Sequence, residues 1–199
     1  MVAIALGRAS KSRYGNDRNI ARLFSFMNQT SDKLKIVSFL GFSEYQEVTY
    51  LHPNYQENQI KVTTRFYQEA LVEFYRPKTL YVLLTPTAEE RNWQELAARL
   101  EDKVELQPIR NIPENNTPKD IWAIFDRVTD CLHSGDEVIF DITHSFRSIP
   151  IVALLAASYL RVVRQVNIKG LLYGAFEARN KATNETPSFD LFPIVSLLD

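Results

Sequence analysis

Apolar runs of strand length alternate along this chain with segments of helical periodicity. Lys35–Gly41 (KIVSFLG) reads as a buried strand that enters a loop at its glycine. Glu47–His52 (EVTYLH) predicts a second short strand, broken by Pro53 and Asn54. The segment TTRFYQEALVEFYRP predicts an amphipathic helix with Phe66, Ala70, Leu71 and Phe74 on one face and Pro77 as its stop. TLYVLLT (Thr79–Thr85) is continuous and apolar, as a strand covered on both faces is. The helix predicted next, TAEERNWQELAARLED, has Thr87 as N-cap with Glu90 at capping-box spacing. Val104–Arg110 is a weaker strand, and its Pro108 suits a sheet edge. Lys119–His133 predicts a helix with Ile121, Trp122, Phe125, Val128 and Leu132 inward, closed by Ser134 and Gly135. A strand (EVIFDIT), a strongly apolar helix (Ser148–Arg164), a last strong strand (Asn167–Phe176) and a proline-punctuated tail complete the chain. Repeated alternation of strand and helix predicts an α/β fold, a mostly parallel sheet with helices on both faces.

Composition narrows the function classes. The chain has 199 residues, 45% hydrophobic and 24% charged, values of a soluble globular domain that exclude collagen-like or disordered chains. A formal charge of −1 argues against a protein that coats duplex nucleic acid and leaves room for a local basic pocket. One cysteine, Cys131, excludes an internal disulfide and a multi-cysteine metal site. No metal and no cofactor are expected, since His52, His133 and His144 would have to lean on carboxylates for a zinc site. The stretch IPIVALLAASYL is too short for a membrane span and is bounded by Arg147 and Arg161. It reads as a helix against the sheet or against a dimer partner.

The charge is unevenly placed. Residues 1–34 hold six basic side chains and two acidic ones, a net of +4, which leaves −5 for the rest. Their short apolar run VAIAL precedes the basic residues, unlike a signal peptide, so a cytoplasmic location is expected. Two readings of this segment stand: a flexible basic N-terminal extension, or a short helix through Ile20–Met27 that docks on a partner. The folded domain is expected over residues 35–199.

Candidate chemistry gathers at two strand ends, where open parallel sheets bind ligands. After the first strand comes GFSEYQ. Its Gly41 permits close backbone approach, and Ser43 and Tyr45 offer hydroxyls; neither a dinucleotide fingerprint nor a P-loop is present. The second end is DITHSFRSIP. Here Thr143, His144, Ser145 and Arg147 precede a helix with Ser148 as natural N-cap and Pro150 in the first turn. Hydroxyls, imidazole, guanidinium and a helix terminus at one strand end are what phosphate recognition requires. The other reading is a capped helix in which His144 satisfies local carbonyls and Arg147 pairs with Asp141. One R-x5-H spacing, Arg127 to His133, places the two about 240° apart on a helix and therefore not on one face.

KIVSFLGFSEYQEVTY, TTRFYQEAL, TLYVLLT, DITHSFRSIP and LLYGAFEA, in that order, resemble the CRISPR-associated Rossmann fold (CARF) domains of type III CRISPR accessory proteins. The likeness runs from about Lys35 to the end of the chain and is most specific in DITHSFRSIP. It implies a Rossmann-like homodimeric sensor of cyclic oligoadenylate, a tetra- or hexa-adenylate ring bound across the two-fold. On this likeness Gly41, Phe42 and Ser43 match the first ligand loop, and Thr143, His144, Ser145, Phe146 and Arg147 the second. Phe42, Phe146 and Tyr173 are candidate walls for adenine. Relatives usually carry an effector domain, often a HEPN ribonuclease, which is not recognisable in this chain and is expected as a separate partner, if present. Two further readings follow. One is a ring nuclease in which Ser43, His144 and Arg147 support metal-independent attack by the RNA 2′-hydroxyl. The other is a nucleotide-responsive regulator of Rossmann class.

Overall fold

A computed structural model describes residues 33–54, 60–115, 117–144 and 149–195. Residues 1–32 of the basic segment 1–34, and four of the expected site residues and caps, Ser145, Phe146, Arg147 and Ser148, lie outside the described residues.

Six strands form the main sheet. These are β1 (Leu34–Leu40), β4 (Thr79–Leu84), β5 (Glu105–Ile109), β6 (Glu137–Asp141), β7 (Asn167–Gly174) and β9 (Ser188–Asp190), in the spatial order β5-β4-β1-β6-β7-β9. The first five are parallel, and β9 closes the β7 edge in antiparallel fashion. The parallel, Rossmann-like sheet read from the sequence is therefore present. Parallel strands need long crossovers, and right-handed crossovers that leave in opposite directions put their helices on opposite faces. Helices α1 (Tyr67–Tyr75) and α2 (residues 86–100) lead from β1 through β4 to β5, and α3 (Pro118–Asp130) and α4 (Ile149–Val163) flank β6. Two cores result. Ile36, Leu80 and Val82 pack under α1 and α2 with Leu71 and Leu96, while Val37, Phe39 and Phe140 pack under α3 and α4 with Val128 and Leu160.

α2 runs through Pro86–Ala88, a π-helical turn at Glu89–Trp93 and on through Gln94–Leu100. Its N-cap is Thr85, not Thr87 as the sequence predicts. Thr85 accepts the Ala88 N–H at 3.2 Å, and Pro86 takes the first helical position, which lacks an N–H partner in any case. Thr87 instead donates its N–H to Glu114 at 2.9 Å and ties the loop after β5 to the helix.

Two further expectations are corrected, the start of α1 and the inward face of Trp122, while the EVTYLH strand is present. Thr63 and Thr64 belong to a strand, β3 (Lys61–Thr64), so α1 starts later than read. The EVTYLH strand, β2 (Val48–Leu51), lies outside the main sheet, in a small sheet with β3 and with β8 (Glu185–Thr186). Trp122 is exposed, because α3 turns Ile124 to the core together with Val128, which is inward as expected. Arg127 lies in the last turn of α3 and His133 beyond its end. His133 stays exposed, its N–H donating to Asp136 at 2.7 Å.

A crevice at the switch point of the sheet

β1 pairs with β4 on one side and β6 on the other, and the chain leaves β1 towards one edge and β6 towards the opposite edge. Their C-terminal ends therefore diverge, and the crevice between them is where open α/β sheets place ligands. A cavity of about 320 Å³ occupies it. Gly41, Phe42 and Ser43 wall it from β1, Thr143 and His144 from β6, and Thr85 and Ile112 from the end of β4 and the loop after β5. Five of the sequence-predicted positions are thus brought together from segments a hundred residues apart. None of the described lining residues carries a charged side chain at neutral pH. The guanidinium expected here, Arg147, falls outside the described residues.

Beneath the crevice lies a buried polar link between β1 and β6. Ser38 donates to Asp141 Oδ2 at 2.6 Å, and Gln68 of α1 donates to Ser38 Oγ at 3.0 Å and to the Phe39 carbonyl at 3.1 Å. Asp141 Oδ1 accepts the Thr143 N–H at 2.9 Å, and Thr143 Oγ1 accepts the Gly174 N–H at 2.9 Å. Asp141 so orients the turn that follows its own strand. Burial pushes its carboxyl above the ordinary range, and the donors from Ser38 and Thr143 offset part of that rise. Gly174 is required by space: a Cβ there would meet the buried Tyr67 ring at 2.8 Å.

His144 packs its ring on Tyr45, centroids 4.4 Å apart. Burial lowers its pKa to about 4, so the imidazole is neutral at physiological pH. Its Nε2 is buried with no hydrogen-bond partner among the described residues. Tyr45 does not offer its hydroxyl outward as the sequence reading expects. The side chain is buried, and its Oη accepts the Gly41 N–H at 2.7 Å. Phe42 is 42% exposed at the rim. Tyr173 is not among the residues lining this cavity; its hydroxyl is engaged by Glu177, and burial with that carboxylate pushes it up to about 12.

Two residues that sequence reasoning missed hold the first loop. Asn92 donates to the Gly41 and Ser43 carbonyls at 2.8 and 3.1 Å, and Arg91 donates to the Phe42 carbonyl at 3.2 Å. The one available signal was an asparagine buried inside a helix, which needs partners for its amide. No group of three or more potential metal ligands occurs among the described residues, and no described helix is long and apolar enough to cross a membrane.

Comparison with known proteins agrees with this architecture. A stretch of 81 residues is 35% identical to CRISPR-associated protein MJ1674 of Methanocaldococcus jannaschii, covering 39% of this chain and 13% of that relative. The chain therefore spans a small part of that relative's length. Residues 35–177 match the family model for the CARF domain of the CRISPR system endoribonuclease Csx1. With its parallel sheet, its switch-point crevice and a family match across most of the described residues, this chain belongs to the Csx1 CARF domain family.

Proposed function

We propose that residues 35–199 form a sensor domain that binds cyclic tetra- or hexa-adenylate across the two-fold of a homodimer. The observation that carries this reading is the crevice itself. Loops from β1 and β6 meet there over a neutral, hydroxyl- and amide-bearing cavity with an exposed aromatic, Phe42, at its rim. Phosphodiesters want such donors and adenines want such a face. Gly41, Phe42, Ser43, Thr143 and His144 make the described part of the site, and Ser145, Phe146 and Arg147 follow His144 directly in sequence.

The dimer is supported by α4, whose N-terminus follows the second loop. Ile151, Leu155, Tyr159 and Val162 are exposed and fall on one stripe of the helix. Phe125 bridges Tyr159 to the exposed Trp122, with ring centroids 5.4 and 5.8 Å apart, and so widens the apolar face. A second copy docked on this face would bring two crevices together, and a ring with two-fold symmetry presents the same groups to both.

Calorimetry with cyclic tetra- and hexa-adenylate is expected to show one ring per dimer and weaker binding of linear adenylate. Leu155→Glu is expected to yield monomers in sedimentation and to weaken ring binding at least about tenfold. A folded dimer that takes up neither ring would sink the reading.

Ring cleavage is a second reading, favoured by the unpartnered Nε2 of a neutral His144. The ring's own 2′-oxygen attacks phosphorus and the 5′-oxygen leaves. His144 accepts the 2′-hydroxyl proton, a solvent proton reaches the leaving oxygen, and a 2′,3′-cyclic phosphate remains. Incubation in EDTA decides: linear product that disappears in His144→Ala supports cleavage, and an intact ring under excess protein removes it.

A further inference from the structure

The carbonyls of the loop Gly41–Ser43 are gripped from the side of α2. All three of its carbonyl oxygens accept donors from the π-helical turn of α2, two from Asn92 and one from Arg91. Asn92 is buried, and its amide has two N–H groups, each committed to one loop carbonyl. In a trans peptide the N–H points opposite the preceding C=O, and the chain has no cis peptide bond among the described residues. The Phe42 carbonyl faces Arg91, so the Ser43 N–H is turned away from α2. The Ser43 carbonyl faces Asn92, so the Glu44 N–H is turned away as well. No described group accepts from either amide, whereas the Gly41 N–H is already taken by Tyr45.

Consecutive backbone N–H groups aimed to one side form a concavity for anions. π-helical turns inside α-helices are rare and recur at functional sites. We infer that Asn92, seconded by Arg91, is a positioning residue that turns the Ser43 and Glu44 amides outward as a paired donor for a phosphodiester of the ligand. This rests on the crevice being a cyclic oligoadenylate site. The loop needs the clamp because a glycine and two exposed residues give it little packing of their own. Without it the peptide planes are free to rotate, and the two amides lose their common direction.

Asn92→Ala is expected to weaken ring binding at least about tenfold at unchanged stoichiometry. Asn92→Asp keeps the shape but removes both donors at neutral pH, and it is expected to lose as much. At roughly pH 5 a carboxyl that has taken up a proton restores one of the two donors, so Asn92→Asp recovers part of the lost affinity relative to wild type at the same pH. A residue that only fills space would leave Asn92→Asp binding within about twofold of wild type across that range, and this overturns the inference. Hydrogen exchange on the wild-type protein checks it without mutation: the Ser43 and Glu44 amides slow when the ring binds, and unchanged exchange in the bound protein overturns it. A wild-type protein that binds no ring sinks the sensor reading, and this inference with it. Wild-type binding with an indifferent Asn92→Asp sinks only the clamp.

Discussion

Asp141→Ala is expected to lower stability by about 2–4 kcal/mol, among the larger losses a single substitution causes in a domain of this size. The carboxyl accepts from Ser38 and from the Thr143 N–H, and its removal leaves both donors unpaired in the interior. Ser38 in turn accepts from Gln68, so the loss reaches α1. Denaturant unfolding measures it, and a loss under about 1 kcal/mol would mean that the link contributes little.

Asp141→Asn separates shape from charge. Burial raises the carboxyl above its ordinary value, so the folded protein binds this proton more tightly than the unfolded chain. The sign follows: stability from this group is fully present below about pH 4, the ordinary carboxylate value, and falls as pH rises towards the raised one. Asn does not titrate and removes that fall. Wild type minus Asp141→Asn should therefore decline across the range above about pH 4. A flat or rising difference would show that the carboxyl ionises at least as easily folded as unfolded.

Gly41→Val is expected to abolish most ring binding, by about 100-fold or more, with a stability loss of about 1–3 kcal/mol. The reason is space. A Cβ at Gly41 would lie 2.8 Å from Tyr45 Oη, 3.4 Å from His144 Cβ and 3.5 Å from the His144 carbonyl. Tyr45 has nowhere to retreat: its ring lies between His144 and Phe66, centroids 4.4 and 5.3 Å away. Relief must come from the backbone, which separates the two loops that line the cavity. Calorimetry with cyclic oligoadenylate measures the affinity and chemical unfolding the stability. A folded Gly41→Val protein with wild-type affinity would place the ligand away from this crevice.

Four of the five parallel strands were legible as largely buried apolar runs, with TLYVLLT the plainest case, whereas β5, half-exposed at the sheet edge, reads more weakly. β3 was not, since KVTT is half-exposed, short and antiparallel, and merges with the helical pattern that follows. Trp122 misled because apolar character says that a side chain avoids water, not which of two surfaces covers it. For the site, strand ends flagged Gly41 and Thr143 through local spacing. Asn92, Arg91, Gln68 and Ser38 carry no such signal. Each matters through a partner that is distant in sequence: Asn92 is 51 residues from Gly41, and Ser38 is 103 from Asp141. Only the folded sheet brings these together.

The order of the strands has a consequence for synthesis. Residues from β1 to β5 make one half of the sheet and those from β6 to β9 the other, so the halves are consecutive along the chain. Within the sheet they meet along the β1–β6 ladder. While a ribosome is still adding β6, the Gly41 loop and its α2 clamp are already made, but the opposite wall is not. The crevice is thus a late product of translation: its second wall follows Asp141, and a nascent chain arrested before that point lacks Thr143 and His144 and with them one side of the cavity.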